Sequence, residues 1–388
     1  MKKILYVFDD INYQSGAQKV TLYQIKCLSE KYDISIFSLT EPVHFNDLDV
    51  EFVGKQYWKE YAAFGKSVRQ VIRSSDITYI QKLKRMIYAA AVRMGMGDNY
   101  INCILYDRLK PKFEAYDVVI VVSEASKLRK VVSALEHPRK IQWIHTDYVS
   151  WSEFSDWTRK ITRNDKEIYG MYDQIVVLSE NSRQGLLKKI PELQDKTVVI
   201  PNLIDGDAIL KKAKEEPDIV MDKNKINFIT VGRLDKEKAF DYILDICKRL
   251  KEEGYIFCWY LVGQGPLKSH LKKRVLSEGL SDCVVLTGAK ENPYSLMCQS
   301  DWFVLLSEYE GTPVTIDEAM VLGVPVMARD VGGIREQLVR MGNGALIEKG
   351  QEYDVIVSEI HKKQKQRFDY AIHNKIILSE IRTVLKVD

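Results

Sequence analysis

Residues 3–39, KILYVFDDINYQSGAQKVTLYQIKCLSEKYDISIFSL, hold two short apolar runs on either side of a helical pattern. The first run, 3–8, meets turn chemistry at Asp9-Asp10 and Ser15-Gly16. Val20, Leu22, Tyr23, Ile25, Cys27 and Leu28 then recur at helical spacing, and 33–39 is the second run. Nearly continuous apolar strands around a helix predict a parallel β-α-β unit in a sheet covered on both faces. Further strands are predicted at 117–122, 140–144, 173–178 and 197–200. The pattern restarts after Pro201-Asn202 and a charged stretch, 211–225, that reads as a linker or a surface helix. Beyond it, strands are predicted at 226–231, 256–262, 283–286, 302–306, 324–328 and 344–347, with a helix at 240–252. The expected class is α/β: two Rossmann-like doubly wound domains, 1–200 and 201–370, and a C-terminal helix in 371–388 packing back toward the first. Such sheets bind ligands beyond the carboxyl ends of their strands, so an interdomain cleft is the expected site.

The 388 residues, 46% hydrophobic and 29% charged, are enough for two full cores and argue against disorder. Net charge is only +3, so no overall field points to nucleic acid. The charge is uneven, however: residues 1–200 carry 30 basic and 25 acidic side chains, and 201–388 carry 27 and 29. Within the first half, 55–93 sets nine basic residues against Glu60 and Asp76 and interleaves them with Tyr, Trp, Phe, Ile, Leu and Met. That segment reads either as an amphipathic face for an anionic membrane surface or as solvated helices whose apolar stripe faces the core. The six cysteines lack zinc-ligand spacing. Six mostly apolar residues follow Met-Lys-Lys, too few for a secretory core, and no apolar run approaches the ~20 residues of a membrane span. A cytoplasmic protein is expected, with the inner face of the plasma membrane as a peripheral location if 55–93 binds lipid.

Residues 307–318, SEYEGTPVTIDE, place Glu310 and Glu318 eight positions apart around a Gly-Thr-Pro turn that opens a helix at Val314. The first N–H groups of such a helix have no partner within it, so an anion or a sugar hydroxyl can fill the gap. Glu318, about one turn in, can accept hydrogen bonds from a vicinal diol such as ribose. Upstream, VGRLDKEK (231–238) presents Arg233 and Lys238 after a strand, a fork and a point charge suited to a diphosphate. Gly263-Gln264-Gly265-Pro266 lacks the third glycine of a dinucleotide fingerprint, which excludes an NAD-binding reading there.

With these residues the chain resembles the family-4 retaining glycosyltransferases of the GT-B fold, of the bacterial polysaccharide and glycolipid type. VGRLDKEK (231–238), YLVGQGP (260–266), VVLTGAKENP (284–293) and SEYEGTPVTIDEAMVLGVPVMARDVGG (307–333) carry the resemblance. It implies that Glu310 contacts the donor sugar, Glu318 the nucleotide ribose, and Arg233 and Lys238 the diphosphate. Gly311, Thr312, Pro313 and Val314 would lie against sugar and phosphates, and Gly288 to Lys290 near the base. IQWIHTD (141–147) implies a role for His145 at the sugar side. SGAQKV (15–20) matches a glycine-rich loop near the β-phosphate, with Gly16 at the close approach and Ser15 where the family often has a second glycine. Asn202, in PNLID, is expected to help fix the domain junction.

The implied activity is a hexosyl- or N-acetylhexosaminyltransferase that uses a nucleotide-diphosphate sugar, a UDP-sugar by the habit of the family, and a saccharide or lipid-linked acceptor. Asp9-Asp10 reads as turn chemistry and not as a metal-binding pair, so cations and the helix N-terminus are expected to stabilise the leaving group without metal or other cofactor. Two alternatives stay open from sequence alone, a non-catalytic GT-B module that binds a glycan or partner, and a sugar-phosphate synthase of the same fold.

Overall fold

The computed structural model describes residues 1–13, 15–43, 45, 48–55, 63, 67–94, 96, 106–342, 344–362 and 367–386. Two compact units emerge, Met1–Pro201 together with Leu378–Asp388, and Asn202–Ile377. The second C-terminal boundary falls inside one helix, Tyr370–Leu385.

In the first unit, β1 (Lys3–Phe8), β2 (Asp33–Ser38), β3 (Glu51–Val53), β4 (Val118–Val121), β5 (Arg139–Trp143), β6 (Gln174–Val177) and β7 (Thr197–Val199) form one sheet. Its order is β3-β2-β1-β4-β5-β6-β7, and every pairing is parallel. Leu5 and Val7 are buried with Val119, Val121, Ile175 and Val177 in one core, as the unbroken apolar runs require. The edge strand β3 has no counterpart in the sequence reading, because three half-exposed residues leave no periodicity to detect.

In the second unit, β8 (Ile226–Val231), β9 (Phe257–Val262), β10 (Val284–Gly288), β11 (Trp302–Leu305), β12 (Val326–Arg329) and β13 (Gly344–Ile347) form a parallel sheet in the order β10-β9-β8-β11-β12-β13. The order reverses between β8 and β11, which leave the sheet in opposite connections and so open a crevice at their carboxyl ends. Separate apolar clusters cover this sheet, one under the Phe240–Glu252 helix and the other under Val314–Leu322. The 211–225 stretch proves neither wholly linker nor wholly helix: a helix over Gly206–Ala213 ends inside it, and residues 214–225 join that helix to β8.

Of the basic segment, 56–62 and 64–66 lie outside the described residues, including Lys59, Glu60 and Lys66. The remainder forms two helices, Val68–Arg73 and Tyr79–Arg93. The reading in which their apolar stripe faces the core is not met in the longer helix. Only Tyr88 and Ala91 are buried there, because the inward face is formed by Tyr88 while the larger aliphatic set points outward.

Candidate functional site

Two loops after neighbouring strands build the centre of the second unit. After β8 the chain passes Gly232 and Arg233 into a short 3-10 turn, Lys236–Lys238, and Ala239 takes a left-handed conformation (φ 51°) before the Phe240–Glu252 helix. The loop after β11 lies against that turn, since Glu308 N donates to Glu237 O at 2.8 Å. Lys349 and Arg329 both bind the Glu308 carboxylate, at 2.7 Å each, and hold it below the usual carboxylate range. With both loops fixed, the Lys238 ammonium forms an ion pair with Glu310 Oε1. Ser307 Oγ donates to the same oxygen at 2.7 Å.

The Gly311-Thr312-Pro313 turn that follows is held from behind at three successive carbonyls. Gly311 O accepts from Gly333 N at 2.8 Å. Thr312 O accepts from Asn202 Nδ2 at 3.3 Å, and Pro313 O from Gln337 Nε2 at 3.1 Å. Asn202 is itself anchored, its carbonyl accepting at 2.8 Å from His373 Nε2. Burial pushes the His373 imidazole down to about 4, so it serves there as a neutral Nε2–H donor. Gly332 (φ +56°) makes the packing possible: a Cβ there would lie 1.8 Å from Glu310 O. No side chain caps the Val314–Leu322 helix; Ile316 N turns back to Pro313 O at 3.1 Å, which leaves the Val314 and Thr315 N–H groups to whatever lies in front of the turn.

Glu318 is buried in this helix, and Tyr294 Oη donates to its Oε1 at 2.9 Å. Burial, then the Glu318 charge, pushes the Tyr294 phenol far up, which keeps it a donor. Beside it, Asp317 Oδ1 accepts from Gln337 Nε2 at 2.5 Å. Burial raises Asp317 to about 7 against the opposing pull of Arg340 and Gln337. Sequence reasoning missed both Asp317 and Gln337. A polar residue in the otherwise ordinary Ile334–Met341 helix is no signal until its partner is known.

Lys238, Ser307 and Glu310 are thus in contact, and Glu318 follows within the same loop and helix. Arg233 is 64% exposed and paired with Asp235 at 3.4 Å, free to swing toward an anion. Lys290, just beyond β10, pairs with Asp218 and not with any other predicted site residue. The GQGP turn after β9 serves packing: Leu234 N donates to Gln264 O at 2.9 Å, and a Cβ on Gly263 would lie 1.8 Å from Gly232 O.

The remaining two predicted residues belong to the first unit. Gly16 opens the Gly16–Ser29 helix, and Ser15 is its N-cap, accepting from Gln18 N at 3.2 Å. A capping hydroxyl is the reason a serine fits that position. His145 follows β5, its backbone N donating to Glu124 Oε2 at 3.2 Å. Burial lowers its imidazole below the ordinary value, against the Glu124 carboxylate. Asp9 accepts from Ser126 Oγ (2.6 Å) and Lys127 N (2.9 Å), and Asp10 from Thr40 Oγ1 (2.6 Å). Both carboxylates therefore hold loops around a cavity of about 250 Å³ lined also by Tyr13, Ser15 and Gln18.

Two parallel-sheet Rossmann-like units place the chain in the GT-B fold class. Residues 211–371 match the family model described as glycosyl transferases group 1, so the chain carries a domain of that family. In structure it is similar to Anabaena HepE solved with UDP and glucose, at 18% identity over 99% of this chain and 100% of that one, with a TM-score of 0.70. In sequence it is similar to an uncharacterized glycosyltransferase of Methanocaldococcus jannaschii, 25% identical over 52% of this chain and 51% of the relative. A Campylobacter jejuni enzyme named as an N-acetylgalactosamine-N,N'-diacetylbacillosaminyl-diphospho-undecaprenol 4-alpha-N-acetylgalactosaminyltransferase is 29% identical, over 48% of this chain and 49% of its own length. The chain thus spans about half the length of these two curated relatives.

Proposed function

We propose that the chain is a retaining, metal-independent glycosyltransferase. It moves a hexose or N-acetylhexosamine from a UDP-sugar to a saccharide or lipid-linked saccharide in polysaccharide assembly. The observation that carries this is the pair Lys238–Glu310 beside a turn whose carbonyls are all turned away and tied, leaving cations and helix N–H groups in front. UDP beside the related fold in HepE and the lipid-linked acceptor in the Campylobacter name support the choice of donor and acceptor.

As the bond from anomeric carbon to phosphate oxygen breaks, negative charge grows on the UDP oxygen. Lys238, Arg233 and the Val314 helix terminus oppose it. The acceptor hydroxyl attacks from the same face, its oxygen bonding the anomeric carbon while its proton passes to the departing phosphate oxygen. Glu310 orients the sugar and Glu318 the ribose. In the test, UDP-sugars are incubated with lipid-linked and free saccharides, with and without chelator, and UDP and glycoside are counted. One UDP per new α-linked bond, insensitive to chelator, is expected from an α-linked donor. UDP release without a glycoside, or loss of activity on chelation, would overturn the reading.

A further inference from the structure

The helix Tyr79–Arg93 is specified by its own sequence. Gln81 N donates to Thr78 Oγ1 at 3.4 Å and Thr78 N donates to Gln81 Oε1 at 2.9 Å, a reciprocal cap. Lys82 Nζ ties it to the preceding helix through Ile72 O at 3.1 Å. Tyr88 enters the first core, with the Arg85 guanidinium 5.3 Å from its ring centroid. The larger apolar side chains do the opposite. Tyr79, Ile80, Leu83, Met86 and Ile87 are between 46% and 83% exposed.

These five are not scattered. At 3.6 residues per turn they fall, with Ala90, within one arc of about 120°. Met94, 64% exposed just past the last turn, continues it. Lys82 and Arg93 border one edge of the arc and Lys84 the other. Across 67–94, Arg69, Arg73, Lys82, Lys84, Arg85 and Arg93 face a single acid, Asp76. A surface helix ordinarily turns its apolar stripe to the core and its charges to water. Here the packed side is Tyr88 and Ala91 and the outward side is the stripe. A partner must therefore be apolar in its depth and anionic at its surface. A bilayer of acidic lipids has both properties at the right spacing, because lysine and arginine stems reach along a buried stripe to put their charges among headgroups.

We propose that the outward face of the Tyr79–Arg93 helix lies in the plane of an anionic bilayer, with Ile80, Leu83, Met86 and Ile87 in the acyl boundary and Lys82, Lys84 and Arg93 among the headgroups. Among the described residues no helix is long and apolar enough to cross a membrane, so this attachment is to the surface. The inference goes beyond the transferase reading and needs none of its residues.

The full chain is sedimented with vesicles of phosphatidylcholine alone and of equal parts phosphatidylcholine and phosphatidylglycerol, at low and high salt. Binding to the acidic vesicles, weakened by salt and at least tenfold poorer on neutral ones, is expected. Lys82→Gln/Lys84→Gln/Arg93→Gln should lower the partition on the order of a hundredfold. Ile80→Ser/Leu83→Ser/Ile87→Ser should lower it at least tenfold, with an unchanged circular dichroism spectrum because these side chains are exposed. Equal binding to both vesicle types, or a serine variant that binds like the parent, would overturn the proposal. So would a serine variant that loses only a dimer seen by light scattering, which would assign the stripe to a second copy. UDP affinity, measured on the same variants, should not move, and its absence in the parent would count against the donor site alone.

Discussion

Asp317 shows how much one buried carboxyl can impose. Its pKa in the fold, about 7, lies well above the ordinary aspartate value, and burial is the main cause. Between about pH 4 and 7 the unfolded chain has lost this proton while the native chain keeps it, so stability falls as pH rises through that window and levels off above it. Asp317→Asn keeps an oxygen for Gln337 and removes the titration. Urea melts should show the variant gaining on the parent by a few kcal/mol between pH 5 and 8, because each tenfold difference in proton affinity between native and unfolded chain is worth about 1.4 kcal/mol. An equal difference at both pH values would sink this account. Glu318 makes a second case. Glu318→Gln preserves an acceptor for Tyr294 but removes the charge, and should weaken UDP binding roughly ten- to a hundredfold by calorimetry, in line with ~1.5–3 kcal/mol for a charged hydrogen bond. Unchanged affinity would take Glu318 away from the ribose.

At the scale of elements, the turn between β11 and its helix is a part built from behind. Asn202 from one part of the chain, and Gly333 and Gln337 from the start of the Ile334–Met341 helix, meet on three consecutive carbonyls. Gln337→Met should cost about 1–3 kcal/mol of stability by removing the donor that Asp317 Oδ1 accepts from and one of the two on Pro313 O. It should also weaken UDP binding, and a variant that is destabilised yet binds UDP normally would make the turn a mere scaffold. Such convergence sets the limit of what sequence discloses. The parallel strands other than β3 were legible as apolar runs, and the loops that carry Arg233, Lys238 and Glu310 because each follows such a run. Gln337 was not legible, since one amide among Ile334–Met341 gains its role only from a carbonyl 24 positions away and a carboxylate 20 away. The stripe on Tyr79–Arg93 was half legible: its periodicity is written in the sequence, but the side on which it faces is not. Lys290, a cation conspicuous in sequence, is paired with Asp218, a partner that no spacing announced.

For the whole molecule, the two units hold separate cores, and Arg233, Lys238, Glu310 and Glu318, proposed for the diphosphate, sugar and ribose, all lie in the second. A ligand that binds the folded second unit stabilises that unit by mass action, about 2.7 kcal/mol at a hundred times its Kd. Hydrogen exchange should accordingly slow on adding UDP in the 311–322 backbone and stay unchanged in β1, β4 and β5. Protection of the first sheet alone would reverse the assignment of the donor side. The division also has a temporal side. The first unit is discontinuous, and Leu378–Asp388 complete it: Val384 O accepts from Arg139 Nε at 2.8 Å and Lys386 O from Lys2 Nζ at 2.6 Å. A ribosome delivers the second unit's entire chain before these residues emerge. The unit started first is therefore completed only after the second unit's chain has been made, and until then Arg139 and Lys2 are without the carbonyls they bind.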